Sequence, residues 1–180
     1  MIYMFLAPGF EEIEALMPLD LMRRAGLDVT TVGVGGLDVT GSHGITVKAD
    51  ITDSEFNDNS PECVILPGGM PGTKNLDASA VVHAALDSAL ENNALICAIC
   101  AAPMILGKRG ILRGKNATCF PGFEGELEGA TISDCRVVRD GNVITAAGMG
   151  VALEFGLELV AALKGKAVAE DLRRAVLADR

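Results

Sequence analysis

Short apolar runs alternate with stretches of helical spacing along most of this chain, and that alternation leaves few folds open. Met1–Leu6 is apolar and runs into Ala7-Pro8-Gly9, which reads as a strand and a turn. Glu12–Ala25 carries Ile13, Leu16, Met17, Leu21 and Met22 at helical spacing and stops at Gly26. Leu27–Val34 alternates and is β-branched, a second strand. Asp38–Ile51 holds two short extended pieces around Gly41-Ser42-His43-Gly44, a hairpin. Glu62–Leu66 is a strand of the buried kind, ended by Pro67-Gly68-Gly69. Ala78–Asn92 reads as helix, Leu95–Ile99 as strand, Ala101–Lys108 as helix and Ala117–Phe120 as a short strand. Arg136–Arg139 and Asn142–Thr145 flank the hairpin turn Asp140-Gly141. Val151–Lys164 and Val168–Ala178 are the last helices. This order predicts an α/β fold, a mostly parallel sheet with helices on both faces and right-handed crossovers. No repeat or linker interrupts it, so residues 1–180 are expected to form a single domain. Sites on such sheets gather beyond the carboxyl ends of the strands. The places to search are therefore Ala7–Glu14, Pro67–Thr73, Cys100–Pro103 and Ala146–Gly150.

Composition narrows the function classes. Acids outnumber bases 24 to 15, which argues against a nucleic-acid complex or an anionic membrane as the main partner. With no Trp, one Tyr and six Phe, a site built on aromatic stacking is not expected. The longest apolar stretch, Ala94 to Gly107, contains Pro103 and is too short to span a bilayer, which takes roughly 18–20 residues. The opening residues lack the positive start of a secretory signal. Five cysteines, an odd count, read as reduced thiols in a cytoplasmic protein. Structural zinc is not expected, because Cys97 and Cys100 have no second pair to complete four ligands.

The run Ala98-Ile99-Cys100-Ala101-Ala102-Pro103 carries the strongest chemical signal. A dithiol redox pair of Cys97 and Cys100 is disfavoured, since residues three apart along a strand point to opposite faces. Cys97 reads as a small buried hydrophobe. Cys100 stands where a strand gives way to a helix, with small residues after it, as at a nucleophile elbow; the alternative is a second buried cysteine. A free thiol with pKa near 8.5 is only about 3% thiolate at pH 7. Lowering that pKa by three units takes about 4 kcal/mol. A helix N-terminus supplies at most about 2 kcal/mol, so direct hydrogen bonds must supply the rest.

Neither histidine is well placed to pair with the thiol. His83 lies within a helix, where a surface or packing role is expected, and His43 lies in the hairpin turn. The exit of the first strand offers Glu11, Glu12 and Glu14 instead. Glu11 and Glu12 suit a solvated first helical turn. Glu14 sits deeper, and Pro18 four residues on cannot donate to its carbonyl, so the helix is irregular there. Buried beside a thiolate, Glu14 would stay protonated and donate to the sulfur; the alternative is an exposed helix acid. The Gly69 and Ala101 N–H groups are candidate oxyanion donors, against the alternative of a plain tight turn at Pro67–Gly72. A phosphate cradle is disfavoured because the lysine-serine ending of a P-loop is missing.

These residues resemble the ThiJ/PfpI superfamily, and within it the branch of the Parkinson-disease-associated protein deglycase and its YajL-like bacterial relatives. The matching pieces are Gly9-Phe10-Glu11-Glu12-Ile13-Glu14, Met22-Arg23-Arg24-Ala25-Gly26, Leu66-Pro67-Gly68-Gly69, Ala98–Pro103 and Gly148-Met149-Gly150, in order along almost the whole chain. The resemblance implies a flavodoxin-like three-layer sandwich and a homodimer. It places the reactive cysteine at Cys100, the protonated glutamate at Glu14 and the backbone donors at Gly69 and Ala101. It also implies a basic rim from His43 and from Arg24 of the partner subunit. Two departures stand out. Ala101 replaces the histidine that follows the cysteine in the intracellular-protease branch, so peptidase activity is not expected. Phe120 stands where some deglycase-branch members carry histidine.

The expected activity is that of a cysteine-nucleophile hydrolase of the deglycase or glutathione-independent glyoxalase type. It would act without cofactor or metal on methylglyoxal or glyoxal, and on their early adducts with protein or nucleotide amines and thiols, releasing 2-hydroxy acids. The alternatives are an oxidative-stress redox sensor or chaperone working through oxidation of Cys100, and a flavodoxin-like binding module.

Overall fold

The computed structural model describes residues 1–57 and 60–178. Its centre is a seven-stranded sheet. In chain order its strands are β1 (Ile2–Leu6), β2 (Val29–Gly33), β5 (Ile51–Thr52), β6 (Cys63–Leu66), β7 (Leu95–Ile99), β10 (Val137–Asp140) and β11 (Val143–Ala146). Their spatial order is β10-β11-β7-β6-β1-β2-β5, and every pairing is parallel except β10 with β11. Two small sheets lie outside it: the hairpin β3 (Asp38–Thr40) with β4 (Thr46–Lys48), and the parallel pair β8 (Asn116–Ala117) with β9 (Thr131–Ile132). The helices are α1 (Glu12–Arg24), α2 (Gly72–Asp77), α3 (Ala80–Glu91), α4 (Pro103–Lys108), α5 (Ala152–Lys164) and α6 (Lys166–Ala175).

The strands are apolar on both faces because both faces are covered. Along β1, Ile2, Met4 and Leu6 join one core with residues of α1, α5 and α6, while Tyr3 and Phe5 join the other with α3 and α4. The same alternation runs through β6 and β7: Val64, Leu66, Ile96 and Ala98 face one way, Cys63, Ile65, Cys97 and Ile99 the other. This is the expected flavodoxin-like three-layer sandwich. No helix among the described residues is long and apolar enough to cross a membrane.

Several boundaries differ from those expected. The helix read as Ala101–Lys108 starts at Pro103, because Cys100 has φ +65°, outside helical geometry, and Ala101 and Ala102 complete the turn. Only the start of Ala117–Phe120 pairs as strand; Phe120 instead donates its N–H to the Cys100 carbonyl at 2.8 Å. Helix α2 was hidden in the glycine- and proline-rich exit of β6, where propensity disfavours helix. Ile51 leaves the hairpin to form the edge strand β5. Pro18 does not interrupt α1, which is continuous from Glu12 to Arg24.

Helices α1 and α5 pack in close contact at Gly156. A β-carbon there would stand 2.6 Å from Leu21 Cδ1 and 2.9 Å from the Pro18 Cα. Gly156→Ala should therefore lower unfolding stability by about 1–2 kcal/mol, overpacking outweighing the gain in helix propensity. Urea unfolding tests this, and a stabilised variant would show that the two helices separate freely.

Candidate active site

Three strand exits converge on one sulfur. Strand β7 is followed by Cys100, whose N–H donates to the Ala146 carbonyl at the end of β11 (2.8 Å) and whose carbonyl accepts from Phe120 N–H. The turn at φ +65° costs roughly 1–2 kcal/mol for a residue with a β-carbon and is held by these two backbone bonds. Its side chain is half-buried. The β1 exit carries Glu14 in the first turn of α1, where the Glu11 carboxylate caps the Glu14 N–H at 2.7 Å. The β6 exit carries Gly68, whose N–H donates to Glu14 Oε2 at 3.0 Å and whose carbonyl accepts from Glu11 N–H at 2.9 Å. A β-carbon at Gly68 would fall 2.5 Å from Glu14 Oε2 and 2.6 Å from Cys100 Cβ, so only glycine lets acid and thiol meet there.

Glu14 is 1% exposed and hydrogen-bonds the Cys100 side chain. Burial raises its pKa to about 7; the Cys100, Gly68 and Met149 hydrogen bonds oppose that rise, and the charge of Glu11 adds to it. The thiol is also pushed up, to about 12, first by burial and then by the charge and hydrogen bond of Glu14; the Gly69 and Ala101 N–H groups act to lower it. The expectation of a depressed thiol pKa is thus corrected. The structure couples the two groups into one titrating pair, which holds two protons below about 7 and one above. When the remaining proton lies on Glu14, both effects of its carboxylate on the sulfur disappear.

The structure brings together four of the residues singled out from sequence: Cys100, Glu14, Gly69 and Ala101. Of the other two, His43 faces Glu11 and Glu12, and Arg24 pairs with Asp20. His43 is 69% exposed, and its Nδ1 lies 2.9 Å from Glu12 Oε2. That hydrogen bond, with the Glu12 charge, raises the His43 pKa. Arg24 ends α1 and pairs with Asp20 at 2.6 Å, ten residues or about 15 Å of helix from Glu14 in the same chain. Glu12, expected to be solvated, is buried and binds the hairpin turn through His43 N–H (2.7 Å) and Ile45 N–H (3.4 Å). Burial alone would raise its pKa, but the His43 and backbone hydrogen bonds hold it down to about 2. His83 packs as expected, between the Asp77 carbonyl and Arg109.

Glu11, Glu12 and His43 are the described residues whose ligating atoms lie close enough to hold a metal ion, within 4.8 Å of one another. Each already has a partner: Glu11 caps α1, Glu12 holds the hairpin and His43 pairs with Glu12. Sequence reasoning missed the Met149 N–H at Glu14 and the Phe120 N–H at Cys100. The glycines around Met149 and the placement of that turn beyond β11 were the available signal for the first. The second had none, because Phe120 arrives from outside the central sheet.

A sandwich of this topology, with a cysteine at the tight turn after β7 and a buried glutamate hydrogen-bonded to it, defines a flavodoxin-like protein with a thiol–carboxyl centre. Residues 1–162 match the DJ-1/PfpI family, and the chain belongs to that family. It is 37% identical over 175 residues to protein dj-1beta of Drosophila melanogaster, covering 96% of this chain and 94% of that one. It is 30% identical over 161 residues to a protein of Pyrococcus abyssi named a deglycase, covering 88% and 96%. Among solved structures, oxidized Toxoplasma gondii DJ-1 superposes with a TM-score of 0.94 at 32% identity, covering 98% and 97%.

The Glu14 carboxyl has a raised folded-state pKa, so the folded chain binds the extra proton and stability falls as pH rises from about 4.5 to about 7. The loss should be on the order of 3 kcal/mol, and Glu14→Gln should abolish that part of the slope. Denaturant melts of both chains across this window test it; parallel curves would show that Glu14 does not titrate as described.

Proposed function

We propose that this chain is a cysteine-dependent hydrolase of the deglycase or glyoxalase type, acting on methylglyoxal, glyoxal and their early adducts on amines and thiols. The observation that carries this reading is the hydrogen bond between buried Glu14 and half-exposed Cys100, with the Gly69 and Ala101 N–H groups aimed at the same sulfur. The Pyrococcus abyssi relative named a deglycase supports it.

In the one-proton state of the pair, the reactive form carries the proton on Glu14 and the charge on sulfur. The sulfur attacks the aldehyde carbon of methylglyoxal, and an S–C bond forms as the carbonyl π-bond breaks. Gly69 and Ala101 N–H groups steady the developing oxyanion, and Glu14 protonates it. The Glu14 carboxylate then takes the proton from that same carbon and returns it to the neighbouring one, while the hydroxyl proton passes from the first oxygen to the ketone oxygen. The aldehyde carbon is thereby oxidised to a thioester and the ketone carbon reduced to an alcohol. Water cleaves the thioester, releasing the 2-hydroxy acid and the thiol. In an adduct the aldehyde carbon already carries a hydroxyl and the amine or thiol; there the sulfur replaces that group, which leaves with the Glu14 proton as the free amine or thiol, and the same hemithioacetal results. No outside oxidant or reductant enters the balance.

Cys100→Ser should remove methylglyoxal turnover, and Glu14→Gln should lower it by about 10²–10⁴-fold. The wild-type rate should rise with pH through about 7, where the pair loses its first proton, and that inflection should be absent in Glu14→Gln. Full activity in Cys100→Ser would end this reading.

A second reading is favoured by one observation: a half-exposed thiol against an acid that can donate to its oxidation products. Here Cys100 is a redox sensor, oxidised by peroxide to the sulfinic acid, which Glu14 holds by a hydrogen bond. The solved relative in an oxidized form is consistent with it. Mild peroxide should then add about 32 Da at Cys100, with a gain of holdase activity and no dicarbonyl turnover.

A further inference from the structure

The loops that deliver the reactive groups also carry large exposed apolar side chains. Met70, 38% exposed, follows the Gly69 donor. Met149, 52% exposed, gives its N–H to Glu14. Phe120, 47% exposed, gives its N–H to the Cys100 carbonyl. Its ring lies against Gly148, on the side of the Glu14 carboxyl: a β-carbon built at Gly148 would stand 3.2 Å from Phe120 Cδ2 and 3.9 Å from Glu14 Oε1. The side of Gly148 that borders the Glu14 carboxyl is thus walled by an aromatic ring. The charge that acts on Glu14 is that of Glu11, whereas Glu12 is paired with His43. Met70, Met149 and Phe120 are thus exposed apolar side chains on three loops that meet at one polar centre.

We infer that Phe120, with Met70 and Met149, forms an apolar collar around Cys100 that selects electrophilic carbonyl compounds bearing an uncharged, apolar substituent, and that Phe120 is the side chain that sets the selectivity. As a statement about turnover this rests on the glyoxalase reading above; as a statement about access to the sulfur it stands without it. Once the aldehyde carbon is bonded to sulfur and its oxygen faces the Gly69 and Ala101 N–H groups, the remaining substituent has only the collar to lie against. An aryl or alkyl group gains contact with the ring and the thioethers. An anionic group meets the charge of Glu11 instead.

The deciding experiment compares alkylation of Cys100 by N-phenylmaleimide and N-methylmaleimide, read on the Cys100 peptide by mass spectrometry in the full chain. The same head group carries a large or a small substituent, so the ratio of the two rates isolates the collar from thiol reactivity. Phe120→Ala should lower the phenyl-to-methyl ratio by about tenfold, the scale of discrimination that a small apolar contact supports. Phe120→Leu, which keeps apolar volume and serves if the alanine variant fails to fold, should give an intermediate ratio. The collar is overturned if neither variant moves the ratio by more than about twofold, the result expected if these side chains instead form a docking surface for another protein. In parallel, kcat/KM for phenylglyoxal over glyoxal should fall by a similar factor in Phe120→Ala, and an unchanged quotient would overturn the substrate preference. If the wild type turns over neither dicarbonyl while the maleimide ratio shifts, the glyoxalase reading fails and the collar stands.

Discussion

Everything at the carboxyl end of this sheet depends on a carboxylic acid buried against a sulfur. An ionised Glu14 would face desolvation and the charge of Glu11, which is why its pKa rises to about 7. What makes the burial tolerable is that its oxygens are satisfied by Gly68 N–H, Met149 N–H and the thiol. Those three partners come from three different loops. The acid therefore acts as the joint of the site: the exits of β1, β6 and β11 are fastened to one another through its two oxygens, and the exit of β7 through the sulfur. A thiol attached to such a joint is defined by its partner more than by its own chemistry, and proton transfer between the two is the natural event of the centre.

The rest of the fold serves that joint. Parallel strands end in register, so their exits stand side by side, and β7 and β6 lie at the centre of the sheet where both cores support them. The strained turn at Cys100 is pinned by one bond to β11 and one to Phe120, which fixes the backbone that carries the sulfur. The hairpin of β3 and β4 is fixed from below by Glu12, a residue whose sequence context suggests a solvated helix start.

Much of this was legible in the residues. Alternation of apolar runs with helical spacing gave the sheet and its helices, because strands buried on both faces must be apolar throughout. The small residues after Cys100 marked the tight turn, and Glu14 stood out between Ile13 and Ala15 at the right end of β1. Less could be read where the determining contact is distant in sequence. Glu12 and Glu14 are two residues apart on one helix, yet one holds a hairpin and the other a thiol; only the approach of the segment 41–45 and of Gly68 separates them. The elevated thiol pKa was likewise hidden, since it depends on how deeply the sulfur and Glu14 are buried together. Helix α2 forms against its local propensity, within a segment held by Gly72 N–H to the Gly9 carbonyl.

The order of the strands carries one more consequence. On one side the central sheet stops at β5, which is only two residues long; on the other it stops at β10, four residues long, antiparallel to its neighbour and carrying Arg139 and Asp140. A second chain seeking to extend the sheet by backbone pairing finds on one flank almost no ladder and on the other a charged, reversed strand. The apolar strands that would make the best templates for intermolecular assembly, β1, β6 and β7, are all interior, so aggregation by edge addition would first require the sandwich itself to open.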